Sequence, residues 1–494
     1  MGERAAGGQA RGTDAGEVRN VGVSAREAII FVIVSLALLM SSIDGTIVAV
    51  GLPDMITGLR TNLVWMGWVL TAYSLMQTIV MPMAGKLSDD FGRKNLFLAS
   101  VALFTVSSGL CAIAPNVYLL IVFRVLQAIG GGAFMPSAAG IVSDVFGPAR
   151  RGTAIGLFTS VFPMGGIIGP NVGGWVIDHL GWRAIFSVNL PLGVVLFVFG
   201  ILLLPAGGRL HGARSIDLVG AGAFGAGIVG LMVAMTVWGN DVNFSVEVVV
   251  WAVLGLAALV YFVWHEGRSR EPMIELRLLK ERAFFAANLY NFLYGALVFG
   301  FFSFIPLYAT VAYSMSATDA GFVLTPRATG MIVLSTLSSF LLTRTGYRGP
   351  MIIGTLLISA GLFLVGQGWH NPLVFGHQID NLVLLSTVIG ITGLGVGVAG
   401  PAANNAAIDL LPEAVARITG LRGMFRNTGG VLGTAALVLV LAHFKDQGHG
   451  LQVIFASLAL LNLLVIPPIF LIPDTVRSRR GDAPSKVEPV TVGE

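Results

Sequence analysis

One carboxylate in this 494-residue chain lies deep inside an apolar run. Asp44 falls within residues 29–52, a stretch long enough to cross a bilayer core of about 30 Å. A charged Asp at the centre of such a helix costs about 2.5–3.5 kcal/mol on insertion scales. Burial disfavours the charged form, so the acid needs a cationic partner or a proton. Read as chemistry, Asp44 is a carrier that takes up and releases a proton. Read as structure, it is half of an ion pair. Arg124, within the apolar stretch 117–140, lies beside Gln127 and Gly130-Gly131-Gly132. A buried Arg needs an acceptor, and Asp44 is the deep carboxylate available to it. The remaining in-span charges are Arg327, Arg422 and Arg426. Arg422 stands one helical turn before Arg426, on a similar face. Two cations there can attract an anionic or amphipathic substrate.

Two glycine-rich segments bear on movement rather than on protons. The first is Gly85-Lys86-Leu87-Ser88-Asp89-Asp90-Phe91-Gly92-Arg93-Lys94. Its glycines allow a tight turn. Asp89 can pair with a neighbouring Arg or accept from a helix N-terminus, which makes a charge clasp that breaks on opening. A solvated basic loop is the alternative. The second is Gly165-Gly166-Ile167-Ile168-Gly169-Pro170-Asn171-Val172-Gly173-Gly174. Small residues every few positions make a smooth helix face, and Pro170 removes a backbone donor and permits a bend. Packing alone can also account for these glycines. The expected gate comprises Gly85, Asp89, Gly92, Arg93, Gly165, Gly169, Pro170, Gly173 and Gly174. Candidate cavity residues are Tyr73, Gln77, Phe162, Asn171, Tyr290, Asn291, Tyr294, Asn404 and Asn405, with Arg422 and Arg426. Each can equally serve packing.

The elements that hold these residues follow from composition. The chain is 55% hydrophobic and 11% charged, against about 45–50% and about 25% in soluble domains. That excludes a soluble enzyme, a fibrous or disordered chain, and an anchor with a large soluble head. Fourteen apolar stretches can be placed: 29–52, 64–85, 95–114, 117–140, 153–177, 184–204, 217–238, 246–264, 284–306, 320–342, 350–369, 382–408, 415–441 and 451–472. In lipid the backbone must satisfy itself, and no barrel-like alternation is seen, so these are helices. With both termini in the cytoplasm, 23 Lys and Arg fall inside and three, Arg60, Arg183 and Lys445, outside. This asymmetry sets the orientation and predicts a multi-pass protein of the cell (inner) membrane.

The halves repeat. Gly130 to Pro136, Gly156-Leu157 and Gly165-Gly166…Gly169 recur as Gly395 to Pro401, Gly420-Leu421 and Gly429-Gly430…Gly433. A weaker echo links Gly85…Asp89…Gly92…Lys94 to Ser339…Thr343…Gly346…Arg348. Repeated halves with a mid-membrane site between them are a transporter build. The expected organisation is a cytoplasmic tail at 1–28, six-helix bundles at 29–206 and 267–473, a two-helix insertion at 207–266, and a cytoplasmic tail at 474–494. The insertion reads as a packing hairpin, its Gly220, Gly222, Gly225, Gly227 and Gly230 suiting close helix contact.

Other chemistries find no residues. Cys111 is the single cysteine, so neither a disulfide framework nor a Cys-based zinc site is available. Gly85-Lys86 has Val80 where a phosphate-loop glycine would stand, and no Ser or Thr follows. His-Glu-x-x-His and Gly-x-Ser-x-Gly are absent. No basic stripe with interleaved aromatics points to nucleic acid.

On these motifs the chain resembles the major facilitator superfamily, and within it the fourteen-span drug:proton antiporters, over about residues 29–472. Asp44-Gly45-Thr46 followed by Leu52-Pro53, the segment 85–94, Arg124 with Gln127 and Gly130, and the segment 165–174 are similar to that family's motifs. So are Trp182-Arg183 with Phe186, and Asn189-Leu190-Pro191. The resemblance implies an all-α major facilitator fold with 14 transmembrane helices. It also implies alternating access and export of drugs or other hydrophobic and amphipathic molecules. Proton coupling would run through Asp44 and Arg124. No cofactor is implied beyond the proton gradient. The implied partners are protons, a small-molecule or lipid-like substrate and the bilayer, without nucleotide or nucleic acid. The chain departs from the pattern with Thr343 where the first half has Asp89, and with no acid in span ten. A dedicated exporter of a lipid, siderophore or secondary metabolite is the second reading; a polytopic membrane enzyme or receptor is the third.

Overall fold

The computed structural model describes residues 24–205, 217–240, 245–269, 272, 274, 276–374, 376–410 and 415–474. Side chains at 82, 85, 86, 89, 90, 147–149, 151–153, 156, 159, 160, 343, 374 and 415–420 are outside that description. The first half contains α1 (Ala25–Val50), α2 (Leu52–Gly58), α3 (Leu63–Phe91), α4 (Arg93–Ala112), α5 (Val117–Leu180), α6 (Ala184–Ser187) and α7 (Asn189–Leu203). An inserted pair follows, α8 (Leu218–Asn240) and α9 (Val246–Glu266). The second half opens with α10 (Arg282–Tyr294), a π-helical turn (Gly295–Phe299), α11 (Gly300–Phe302) and α12 (Ile305–Tyr313), which together make one crossing. Then come α13 (Ala317–Phe322), α14 (Thr325–Thr345), α15 (Arg348–Gly366), α16 (Asn381–Ile408), α17 (Val415–Ala442), α18 (Gln447–Leu461) and α19 (Ile466–Leu471).

Helix starts are encoded locally. Ser24 caps α1 in a reciprocal box with Glu27, which satisfies two of the orphan donors of the first turn. Asn62, Asn116, Asp380 and Asp446 cap α3, α5, α16 and α18. All four stand at the face opposite the start of α1, called here the far face, three in short turns and Asp380 after a small hairpin of Leu373–Val374 and His377–Gln378. The face where α1 begins is the near face.

α5 is 64 residues long, about 96 Å if straight at 1.5 Å per residue. That is three bilayer cores, and the chain does not run straight. Its contacts with α1 descend and then climb: Arg124 meets Asp44, Arg150 meets Glu27, the Phe162 carbonyl meets Ser42, and Gly173 meets Ile47. α5 is therefore two antiparallel spans joined by a tight near-face reversal. Among the described residues thirteen segments are long and apolar enough to cross a membrane, and the ascending limb of α5 makes the fourteenth crossing.

The two halves repeat their packing. Gly165 and Gly169 of α5 press on Ser42 and Thr46 of α1. Gly429 and Gly433 of α17 press on Phe292 and Ala296 of the first crossing of the second half. Likewise Gly92 and Gly346, each with positive φ (89° and 72°), end α3 and α14. In that common register Asp44 corresponds to Tyr294, Tyr73 to Arg327, and Phe162 to Arg426.

The insertion is a hairpin. Gly227 and Gly230 of α8 meet Leu259 and Gly255 of α9. Its near-face end is tied by Asp217 to the His265 ring at 2.8 Å. Glu266, buried at the end of α9, accepts from the Ile274 N–H at 2.9 Å. α8 also touches both halves, through Trp68 donating to Thr236 and through the Val64, Gly239 and Leu439 contact.

Hydrogen bonds between described residues that join the halves lie at the far face. Asp178 accepts from the Ala317 and Thr318 N–H groups at 3.3 and 2.9 Å and from the Thr318 hydroxyl. Asn171 and Thr325 bond reciprocally at 2.8 and 3.1 Å. Gly174 and Gly321 bring the backbones of α5 and α13 together beside them. The far face is closed in this state.

Candidate functional site

The first half has two apolar clusters. One surrounds Val34, Phe97, Phe134 and Phe158; the other surrounds Val48, Met66, Leu120 and Phe186. Between them, at mid-depth, sits a polar network drawn from five helices. The Arg124 Nη1 donates to Asp44 Oδ2 at 2.6 Å and to Gln127 Oε1 at 2.6 Å. The Gln127 amide donates to Asp44 Oδ1 at 2.8 Å and to Ser108 Oγ at 2.7 Å. Asn189, at the start of α7, donates to Asp44 Oδ1 at 3.1 Å. Arg124 also donates from Nε to the Val69 carbonyl at 3.4 Å and lies 3.9 Å from the centre of the Tyr73 ring. Asp44 is 0% and Arg124 1% exposed.

Helix spacing explains part of this. Arg124 and Gln127 are three apart, so they share a face of α5. Gly131 lies against Tyr73 and Ser41, so α1, α3 and α5 approach closely at this level. Charged partners, short bonds and complete burial make the network expensive to disturb unless its net charge is kept. Chemically it offers one buried carboxylate, held by three direct partners, Arg124, Gln127 and Asn189.

The network is mechanically joined to the glycine face of α5. Ser42 and Thr46 flank Asp44 by two residues on α1. Ser42 donates to the Phe162 carbonyl at 2.6 Å, and Thr46 donates to the Gly165 carbonyl at 3.0 Å. A rotation of α1 that moves Asp44 must also move these bonds.

The other residues singled out from sequence disperse. Tyr73 is buried against Arg124 and belongs to the charge network. Gln77 packs beside Gly132, and Phe162 is 45% exposed. Asn171 lies in the far-face closure. Tyr290 and Asn291 are buried, Asn291 donating to its own helix at Ala287. Asn405 donates likewise to Pro401. Tyr294 is partly accessible and stacks on Tyr290 with ring centres 6.0 Å apart. Arg426 lies 5.0 Å from the centre of the Phe299 ring. Arg422, partly accessible, lies within electrostatic reach of Arg426 and Tyr294. Arg93 pairs with Asp144 and donates to the Gly140 carbonyl at 2.6 Å. The side chain of Asp89, and Gly85, fall outside the described residues. Ser108 and Asn189 complete the network, and sequence reading did not connect either to Asp44. At the far face, burial and then the charge of Asp178 push the Asp54 carboxyl above its usual value.

A family model described as the Major Facilitator Superfamily matches residues 34–363 and 287–494. A multidrug transporter protein of Bacillus subtilis is 33% identical over 82% of this chain and 74% of its own length. A multidrug resistance protein B homolog of Mycobacterium tuberculosis is 31% identical over 83% of this chain and 75% of its own. A tetracenomycin C resistance and export protein of Streptomyces glaucescens is 30% identical, with the same two shares. Among solved structures, a bacterial homolog of the human lysosomal transporter Spinster superposes with a TM-score of 0.67 at 15% identity. It covers 94% of this chain and 100% of its own.

Proposed function

The chain belongs to the major facilitator superfamily, and from that premise we propose that it exports hydrophobic and amphipathic small molecules in exchange for protons. It is a multi-pass membrane protein and a transporter rather than an enzyme. The observation that carries the exchange reading is the buried Asp44 carboxylate, held by Arg124, Gln127 and Asn189 two residues from each α1–α5 bond.

The cycle follows from charge. The excess of Lys and Arg assigns the near face and both termini to the cytoplasm. A far face closed by Asp178 and Asn171 is then an outside closed to solvent, and this state faces inward. Protonation of Asp44 from the outside neutralises the acid and removes the attraction for Arg124. Arg124 keeps the Gln127 and Val69 oxygens as acceptors. Freed from its counter-ion, α1 shifts on the glycine face of α5, and the Ser42 and Thr46 bonds register the shift. Release of the proton inward restores the pair. Cargo leaves in the opposite half-cycle, with segment 85–93 and the face 165–174 acting as the gate. The gradient supplies about 2.3 kcal/mol per charge per 100 mV and about 1.4 kcal/mol per pH unit.

The test uses the full chain in proteoliposomes carrying a pH-sensitive dye. Added cargo should release protons from the energised side, and Asp44→Asn should abolish that flux. Export that continues with the gradient dissipated would overturn the proposal. A dedicated exporter is the second reading, supported by the likeness to a tetracenomycin exporter. A substrate screen showing one chemical class and no drugs would favour it.

A further inference from the structure

The second half carries three arginines in its spans, and among the described residues none has a carboxylate partner. Arg327 lies over the Phe302 ring, 3.2 Å from its centre, and its Nε is buried without an acceptor. The Nε of Arg426 is buried without an acceptor as well. Arg327 and Arg426 converge on one crossing, at Phe302 and, one turn away, at Phe299, and Arg422 stands one helical turn before Arg426. Each of the three side chains is partly accessible, although the Nε atoms of Arg327 and Arg426 are buried.

The register between the halves sharpens the contrast. Where the first half has Asp44, the second has Tyr294. Where the first has Tyr73 and Phe162, the second has Arg327 and Arg426. The first half balances Arg124 against one acid; the second leaves three positive charges around a phenol. Guanidinium groups removed from water need an acceptor, and their planar forks match carboxylates and phosphates. The helix beside them is also reshaped: residues Gly295–Phe299 form a π-helical turn, and Gly295 abuts the Arg426 carbonyl. Such turns are frequent at functional sites.

We infer that the cargo is an amphipathic acid, whose carboxylate, sulfonate or phosphate is bound by Arg327, Arg422 and Arg426 while its ring stacks on Tyr294. The exposed Phe299 and Phe162 supply apolar surface for the rest of the molecule. This inference rests on the export reading and adds its substrate class. The negative charge missing from the second half arrives with the cargo.

Equilibrium dialysis of the purified full chain against 1-naphthoate, 1-naphthamide and 1-naphthylmethylammonium tests the charge preference on one ring system. Naphthoate should bind about ten-fold or more tighter than the amide, in line with hydrogen bonds to charged groups. Arg422→Gln should weaken naphthoate by about ten-fold and leave the amide within about two-fold. Arg422→Lys, which keeps the charge but not the fork, should fall between them. Should Arg422→Gln fail to fold, sulfate added to the wild type should displace naphthoate and spare the amide. Displacement of naphthoate by a short-chain phosphatidic acid supports the site with a lipid as its natural cargo; no displacement supports it with a soluble acid. Equal binding of the three probes, or equal weakening of all three by Arg422→Gln, overturns the inference. The proteoliposome assay separates it from the export reading. If naphthamide drives protons as well as naphthoate does, the substrate class fails and export stands. If no probe drives protons, export fails.

Discussion

At the scale of single residues, the Asp44–Arg124 pair sets the strongest constraint. Its two charges are out of water, so removing one leaves the other unpaired. Breaking such a pair costs about 3–5 kcal/mol, whereas replacing both partners with neutral groups is often tolerated. Asp44→Asn should therefore lower the thermal stability of the purified protein. The double variant Asp44→Asn/Arg124→Gln should regain most of that loss without regaining the proposed proton-coupled export. Equal melting temperatures for the single and double variants would contradict the pairing. Asp44 and Arg124 were legible in the sequence because charges are rare in apolar runs. Ser108 and Asn189 were not. Ser108 is an ordinary polar residue on α4, and Asn189, although part of the Asn189-Leu190-Pro191 motif, carries nothing in its spacing to say that both faces turn toward α1.

At the scale of helices, two glycine contacts with the same geometry should respond differently to a methyl group. At Gly169 the added carbon meets the Thr46 hydroxyl, a side chain that can rotate. At Gly433 it meets the Ala296 carbonyl, which is backbone. Overpacking of this kind costs about 1–3 kcal/mol. Gly433→Ala should fall at the upper end and Gly169→Ala at the lower, read as thermal shifts. The insertion supplies a pH test. Burial pushes the Asp217 carboxyl up, but the Gly220 N–H and the His265 ring outweigh it and hold the group below its ordinary value. A depressed carboxylate contributes stability above its unfolded value and loses it as pH falls through the folded one. Hydrogen-exchange protection of the start of α8 should thus hold down to about pH 4, near the reference for Asp, and vanish below. In Asp217→Asn it should be weaker at neutral pH and insensitive to this range.

At the scale of the whole molecule, the halves meet at the far face through few polar bonds. Asp178 provides three of them, two to backbone N–H groups at the start of α13. Asp178→Asn replaces a carboxylate that accepts all three with a neutral amide. The closed state should lose about 1–3 kcal/mol, the range for hydrogen bonds to a charged group. A cysteine at position 318 should then react faster with a membrane-impermeant reagent added from the far side. An unchanged rate would show that the helix contacts alone keep the face shut. The insertion acts at this scale too, because α8 touches α3 and α17, one from each half. Its contacts with Trp68 and Leu439 lie along the seam between the halves, which the proposed cycle requires to slide.

The chain by itself determined how much of it lies in lipid, how many times it crosses, and that its halves repeat. Those are consequences of apolar run length, positive charge and glycine spacing, all written along one dimension. It also determined that Asp44 and Arg124 are unusual, since an intramembrane charge is costly wherever it points. Only the tertiary structure decided which neighbours complete that pair, because five helices from distant parts of the chain converge on it. It alone gave the helix contacts that make Tyr294 the counterpart of Asp44 and bring Arg327 and Arg426 to the same crossing. The reason is common to both. Periodicity fixes which residues share a helix face, but the packing of helices decides what that face meets.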